Sequence, residues 1–263
     1  MLGWSINLFR VFGIQLAVHA SFLLLLAYVG YEGWVEGSLP GLLWSVGLII
    51  LFFVCVILHE LGHSLTARRY GVRVPRILLL PIGGMAEFDR IPRKPSEELL
   101  ITVAGPAVNF VLAALLFALI WGGLINVKGA PTYSFASLLD TLWLWNLIMG
   151  IFNLLPVFPM DGGRILRALL ALKLPYLRAT WWAVMVTRIL APVFAYIAFF
   201  RLEHAEMLGA LFIFIFFVCN AEYRQTLRRD QEERYWAELA RQLPATGPAP
   251  SANEPPLLRH GPN

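Results

Sequence analysis

Long apolar runs separated by short polar connectors dominate the sequence. Runs of this kind are typical of helices that cross a bilayer, where every backbone polar group must be satisfied within the helix. The six runs lie at about 18–37, 42–66, 99–125, 137–155, 181–200 and 206–220. The pattern therefore predicts an all-α polytopic membrane protein with six transmembrane helices.

The remaining segments have a different character. Residues 1–17 are amphipathic, and we expect them to lie along the membrane surface or to pack as an edge strand. Alternating apolar residues between the second and third spans predict a small, membrane-associated β-hairpin. We divide the chain into the segment 1–17, a membrane domain 18–220 with its core at 42–172, a charged cytoplasmic amphipathic helix 221–243 and a Pro-rich, disordered tail 244–263.

Composition agrees with a membrane protein. Apolar residues make up 58% of the chain and charged residues 14%, with a mean hydropathy of +0.66. The pI near 9.3 could indicate nucleic-acid binding, but by the six-span count 18 of the 21 basic residues fall on one side. The positive-inside rule then places both termini in the cytoplasm, and nucleic acid is not an expected partner. The excess of arginine over lysine favours a prokaryotic cell membrane as the location.

Three ionisable residues stand near the end of the second apolar run: His59, Glu60 and His63. Side chains four apart share a helix face, so the two histidines can bind one metal ion. Glu60 lies about 100° around that helix, close enough to act on a water without being a ligand. Each ionisable group near the bilayer centre costs about 2.5–3.5 kcal/mol, so chance placement is a poor explanation.

A further carboxylate follows the fourth span. Asp161 stands after two helix-breaking prolines, Pro156 and Pro159, at the start of a new helical pattern, and it is the carboxylate best placed to face the metal. Two imidazoles, one carboxylate and a water suit a single zinc ion per chain. Glu60 would take a proton from water and deliver it to a leaving amine, which makes amide hydrolysis the expected reaction.

Other residues leave alternatives open. Asn109 needs a partner at membrane depth, and we expect an interhelical hydrogen bond. Cys55 shares the face of His59, where it could be a further ligand or a packed thiol. The hairpin around Gly83 and Gly84 could be a simple connector, or its edge could pair with an extended peptide near the metal.

Three motifs in order resemble the site-2 protease family of intramembrane zinc metalloproteases. They are His59-Glu60-Leu61-Gly62-His63, Gly105-Pro106 with Asn109, and Asn153-Leu154-Leu155-Pro156 leading to Asp161-Gly162-Gly163. The resemblance covers roughly residues 10–220. Many members carry a PDZ domain or a CBS pair, for which this sequence has no room, so it resembles a compact form.

The resemblance implies a three-helix core, here spans two to four, with the active site towards the cytoplasmic side. It implies His59, His63 and Asp161 as zinc ligands and Glu60 as general base. It further implies that Asn153 contacts substrate or steadies an oxyanion, and that Gly83 and Gly84 belong to a β region that guides substrate. Single-span membrane proteins are the substrates it implies.

Two other functions compete with proteolysis. A zinc transporter would spread its ligands through the membrane depth and would not need Glu60 as a base. An inactive binding scaffold would usually lack a ligand or the glutamate, whereas this sequence has all four residues. The charged helix 221–243 could also mediate homo-oligomer formation.

Overall fold

The structure is a computed structural model that describes residues 4–89, 94–125, 127 and 129–242. These residues form four strands and six helices, and helix predominates. The strands are β1 (Ser5–Val11), β2 (Ile14–His19), β3 (Arg76–Leu80) and β4 (Gly83–Glu87). The helices are α1 (Ala20–Arg69), α2 (Pro95–Trp121), α3 (Phe135–Asn153), α4 (Asp161–Ala171), α5 (Tyr176–Arg201) and α6 (Glu206–Gln242).

Within the described residues, five helices are long and apolar enough to cross a membrane: α1, α2, α3, α5 and α6. The eleven-residue α4 is too short for this. The prediction of a mostly helical, multi-pass membrane protein is confirmed at this level.

The first helix contains both of the first two predicted spans. Backbone angles are non-helical at Gly37 and Ser38, and Ser38 has a positive φ of 54°. The chain reverses direction there, as two contacts across the bend show: Gly33 lies against the carbonyl of Gly41, and Gly30 lies beside Val46. The absence of a side chain at Gly33 and Gly41 allows this close backbone approach between the two halves of α1.

A four-stranded sheet, in the order β1-β2-β3-β4, packs against α1. A two-residue turn at Phe12 and Gly13, both with positive φ, joins β1 to β2 as the twist of a tight hairpin requires. Strand β2 runs parallel to β3, and β3 and β4 form an antiparallel hairpin between α1 and α2. The predicted hairpin is therefore half of a larger sheet, and residues 5–11 form the edge strand that was one of the two expectations for the N-terminal segment.

The C-terminal part is a pair of long helices. Helices α5 and α6 pack along each other, and α2 contacts α1, α3 and α4. Helix α6 is continuous through residue 220, so the last predicted span and the predicted cytoplasmic helix form one helix. The predicted disordered tail, 244–263, lies outside the described residues.

Candidate metal centre

Two buried histidines of α1 form one wall of the site. His59 is 3% exposed and His63 is 7% exposed. Their side chains share a helix face because the residues are four positions apart. The two Nε2 atoms lie 3.1 Å apart, so both rings direct the same nitrogen to one point.

The second nitrogen of each ring is held by helix α2. Nδ1 of His63 lies 2.8 Å from the carbonyl oxygen of Ile101, which can only accept, so this nitrogen donates. Nδ1 of His59 lies 2.5 Å from Oδ1 of Asn109 and donates in the same way. Each Nε2 therefore keeps a lone pair that can bind a metal. A hydrogen bond from the other ring nitrogen commonly fixes the tautomer and orientation of a metal-binding imidazole in this way. The predicted interhelical hydrogen bond of Asn109 is present.

Asp161 completes the group from the first residue of α4. Its Oδ2 lies 3.3 Å from Nε2 of His59 and 3.2 Å from Nε2 of His63. The side chain is buried, and Oδ2 has no hydrogen-bond donor among the described residues. The structure thus brings Asp161 to the two histidines, from which the sequence separates it by about a hundred positions.

The donor set fits a zinc ion. Three buried atoms with lone pairs face one another at 3.1–3.3 Å, which is unfavourable unless a cation lies between them. Zinc with bonds of about 2.0–2.1 Å and tetrahedral geometry separates its ligand atoms by roughly 3.3–3.4 Å, close to the observed spacing. These three residues are also the one such His, Cys and carboxylate group found in the described part of the chain.

Glycines leave the space that the site occupies. A Cβ at Gly105 would lie 2.2 Å from Nε2 of His63 and 2.8 Å from Nε2 of His59. At Gly62 a Cβ would lie 2.7 Å from the carbonyl oxygen of Ala104, so α1 and α2 could not approach as closely. At Gly162 it would lie 2.1 Å from the carbonyl oxygen of Leu155, in the turn that leads into α4.

Glu60 lies beside the three donors without joining them. It is half-buried on the next position of α1 and packs against β4, where a Cβ at Gly84 would lie 2.6 Å from its Cγ. Gly83 begins β4 with a positive φ of 138°, a conformation that L side chains rarely adopt. The edge of the sheet therefore reaches the residue predicted to be the base.

The remaining predicted residues lie around the end of α3. Asn153 is its last residue, and its Nδ2 donates to the carbonyl oxygen of Met149 at 3.0 Å. That bond turns the amide towards its own helix. Pro156 stands in the non-helical segment between α3 and α4, which allows Asp161 to begin a new helix.

Sequence reasoning missed Asn146, which lies behind the site. Its Oδ1 accepts from Nδ2 of Asn109 at 3.1 Å, and its Nδ2 contacts the carbonyl of Leu142 and, at 3.3 Å, Sγ of Cys55. Cys55 is thus a packed thiol in this structure and lies outside the donor group. An amide within an apolar span was the available signal in the sequence.

Comparison with known proteins places these features in a family. The model of peptidase family M50 matches residues 47–125 and 121–194. These ranges contain His59, His63, Asp161 and Glu60.

Individual relatives agree with that match. A zinc metalloprotease of Methanocaldococcus jannaschii is 42% identical over 81% of this chain, which spans 59% of that protein's length. The stage IV sporulation protein FB of Bacillus subtilis is 27% identical over 81% of this chain and 73% of its own length. The solved site-2 protease from Methanocaldococcus jannaschii superimposes with a TM-score of 0.60 at 40% identity, over 84% of this chain and 95% of that one.

Proposed function

Because this chain belongs to peptidase family M50, the site-2 protease family, we propose that it is a zinc metalloprotease that hydrolyses peptide bonds within or beside transmembrane segments. The observation that carries the proposal is the convergence of Nε2 of His59, Nε2 of His63 and Oδ2 of Asp161 within 3.3 Å of one another. Three protein ligands leave a fourth position for water or substrate, as in catalytic zinc sites.

His59, His63 and Asp161 would hold one zinc ion per chain. When bound, zinc supplies Lewis-acid polarisation of a carbonyl and lowers the pKa of water from 15.7 towards about 7. The hydrogen bonds from the two Nδ1 atoms to Asn109 and Ile101 fix the ring orientation before any metal arrives.

Glu60 acts as the general base. Its carboxylate accepts a proton from the attacking water, the new bond forms between the water oxygen and the peptide carbonyl carbon, and the C–N bond then breaks. The same carboxyl group returns the proton to the departing amine nitrogen. Its place on the position after His59, outside the donor group, supports this role.

Substrate would enter along β4. This strand lies at the edge of the described sheet, so its outer backbone groups can pair with an extended peptide beside Glu60. A transmembrane substrate must unwind to offer that extended backbone, and Gly83 and Gly84 present little side chain to hinder it. Asn153 would contact the substrate or its oxyanion through the amide N–H that the bond to the carbonyl of Met149 leaves free.

We further propose six spans, with both termini and the site towards the cytoplasm of a prokaryotic cell. The reversal at Gly37 and Ser38 supports the count, because it divides α1 into two antiparallel halves. Arg68 and Arg69 in the last turn of α1, close in sequence to His63, support the orientation. Single-span membrane proteins as substrates, and self-association through residues 221–243, stay predictions.

The test compares the purified wild type with Glu60→Gln on a panel of single-span substrates in detergent, with zinc content measured on each. We expect Glu60→Gln to keep about one zinc and to lose cleavage by at least a hundredfold, the scale of general-base catalysis. Glu32→Gln, an exposed carboxylate change on the same helix, should cleave like the wild type. Equal zinc movement across liposomes by wild type and Glu60→Gln, without cleavage, would instead identify a transporter.

A further inference from the structure

A second buried polar cluster lies behind the metal centre. The guanidinium of Arg167 on α4 is 1% exposed and donates to Oε1 of Glu98 on α2, at 2.8 Å from Nε and 2.5 Å from Nη2. Its Nη1 donates to Oε1 of Glu222 on α6 at 2.7 Å. One arginine therefore joins three helices, and we call these residues the Arg167 cluster.

The charges of the cluster are largely removed from water. Glu98 is only 2% exposed, and taking a charge out of water costs several kcal/mol per ion before any gain from its partner. Arg164, one turn earlier on α4, adds positive charge near both carboxylates. Buried ion pairs often stabilise a fold no better than apolar side chains would, so a contribution to stability does not by itself account for this cluster.

The cluster restrains the chain both before and after Asp161. Arg167 follows Asp161 by six residues on the same short helix, which is about 9 Å along the axis. The Arg167 guanidinium also lies 5.2 Å from the ring centroid of Phe158, three residues before Asp161. The backbone N–H of Phe158 donates to Oγ1 of Thr187 on α5 at 2.9 Å, which fixes the same segment a second time.

The Glu98 side of the cluster reaches the histidines. Glu98 lies one helical turn before Ile101, whose carbonyl accepts from His63, on the helix that also supplies Asn109 to His59. The pair Glu98–Arg167 therefore connects the helix that orients both imidazoles to the helix that carries the third donor. A change in this pair would alter the spacing between Asp161 and the two histidines.

We propose that Arg167 is a positioning residue that sets the metal affinity of the site, and that its bond to Glu222 makes this affinity depend on the C-terminal helix α6. The proposal rests on the metal centre of the proposed function and adds a regulatory connection to it. Beyond Glu222, α6 continues for twenty residues, and the side chains from 231 to 238 are all exposed. A partner that displaced this extension would move Glu222 and weaken its bond to Arg167, which in turn would loosen the position of Asp161.

The experiment measures the rate of zinc release to a chelator from full-length protein in detergent, together with the visible spectrum of the cobalt-substituted form. Removal of a group that orients a metal ligand typically costs 10–100-fold in affinity, so Arg167→Met should release zinc at least about tenfold faster. Arg167→Lys keeps the positive charge but loses the guanidinium that bonds to both Glu98 and Glu222. Its rate of zinc release should lie between those of the wild type and Arg167→Met. Glu222→Gln leaves the Glu98–Arg167 pair intact and should accelerate release by less than about tenfold.

The controls separate positioning from stability. Glu238→Gln removes the same charge from an exposed site on α6 and should release zinc like the wild type. A purely structural cluster would lower the unfolding temperature of the zinc-free variants while leaving release rates and cobalt spectra unchanged, and that result would overturn the proposal. If Arg167→Met does not fold, Glu222→Gln and Arg167→Lys decide the question by the same readouts. A wild type that binds no zinc would refute the proposed function itself.

Discussion

The buried polar groups around the metal centre and those within helices α5 and α6 find their hydrogen-bond partners in different ways. Around the site, Asn109 and Asn146 are fully buried and bond to residues on other helices, with His59 and Asn109 separated by 50 positions. In α5 and α6, the buried hydroxyls of Thr180 and Thr226 donate to carbonyls four residues earlier in the same helix.

The difference separates two uses of polarity inside a membrane protein. A hydroxyl that bonds only to its own helix is satisfied wherever that helix goes, so it places no restraint on the neighbours. A side chain that bonds across helices is satisfied in one arrangement only, because its loss leaves a buried group unpaired. The site is therefore restrained by polar contacts between helices, whereas the α5–α6 contact is built mainly from apolar residues such as Ala191, Ala195 and Phe212.

The largest expected effect comes from filling the space at Gly105. In Gly105→Ala the new Cβ would lie 2.2 Å from Nε2 of His63, so the imidazoles must shift from the positions in which they face Asp161. We expect zinc content to fall below about a tenth of the wild-type value, and cleavage to fall with it. Gly47→Ala, where a Cβ on the same helix as the histidines meets nothing within 4 Å, should retain its zinc. A zinc-replete Gly105→Ala would contradict the geometry of the site.

A smaller, graded effect is expected along the chain of amides behind His59. Asn109→Ala removes the acceptor of the His59 Nδ1 proton and should weaken zinc binding about 10–100-fold. Asn146 bonds to Asn109 and not to His59, and in Asn146→Ala the amide of Asn109 still contacts Sδ of Met149. Asn146→Ala should therefore weaken zinc binding less than about tenfold. Zinc competition titrations measure both, and equal losses in the two variants would show that the bonds act as packing alone.

The smallest effect is expected on the lipid-facing side of α6. Phe214 is 55% exposed in the protein alone, so Phe214→Ala removes few internal contacts. We expect its zinc affinity and cleavage to stay within about twofold of the wild type, and its unfolding free energy to change by roughly 0.5 kcal/mol or less. A loss of zinc in this variant would show that the α5–α6 pair is coupled to the metal centre through apolar packing as well as through the Arg167 cluster.

Local spacing made some of the site predictable. His59, Glu60 and His63 lie within five positions of one helix, so their relative directions follow from helical periodicity. Asp161 was accessible by a different route, because prolines at 156 and 159 break the apolar pattern just before it. The hydrogen-bond partner of Asn109 was anticipated as a type of contact, and only the structure identified His59 and Asn146 as the partners.

Other features could not be anticipated, because they depend on pairing between distant segments. The parallel contact of β2 with β3 joins residues near 15 to residues near 76, and no local pattern sets that register. The sequence-based division therefore treated the hairpin and the segment 1–17 as separate parts, whereas the structure joins them in one four-stranded sheet. For the same reason, the sequence did not indicate that Arg167 contacts Glu98 and Glu222.

By itself, the sequence determined the environment, the helical character and the chemical kind of the site, since hydrophobic runs and an i, i+4 histidine pair act through local geometry. Only the tertiary structure decided the distances on which that chemistry depends. It set the 3.1–3.3 Å spacing of the donors, the space kept by Gly105 and the three-helix contact of Arg167. These features arise from the packing of α1, α2, α4 and α6 against one another, because each joins groups that the chain holds far apart.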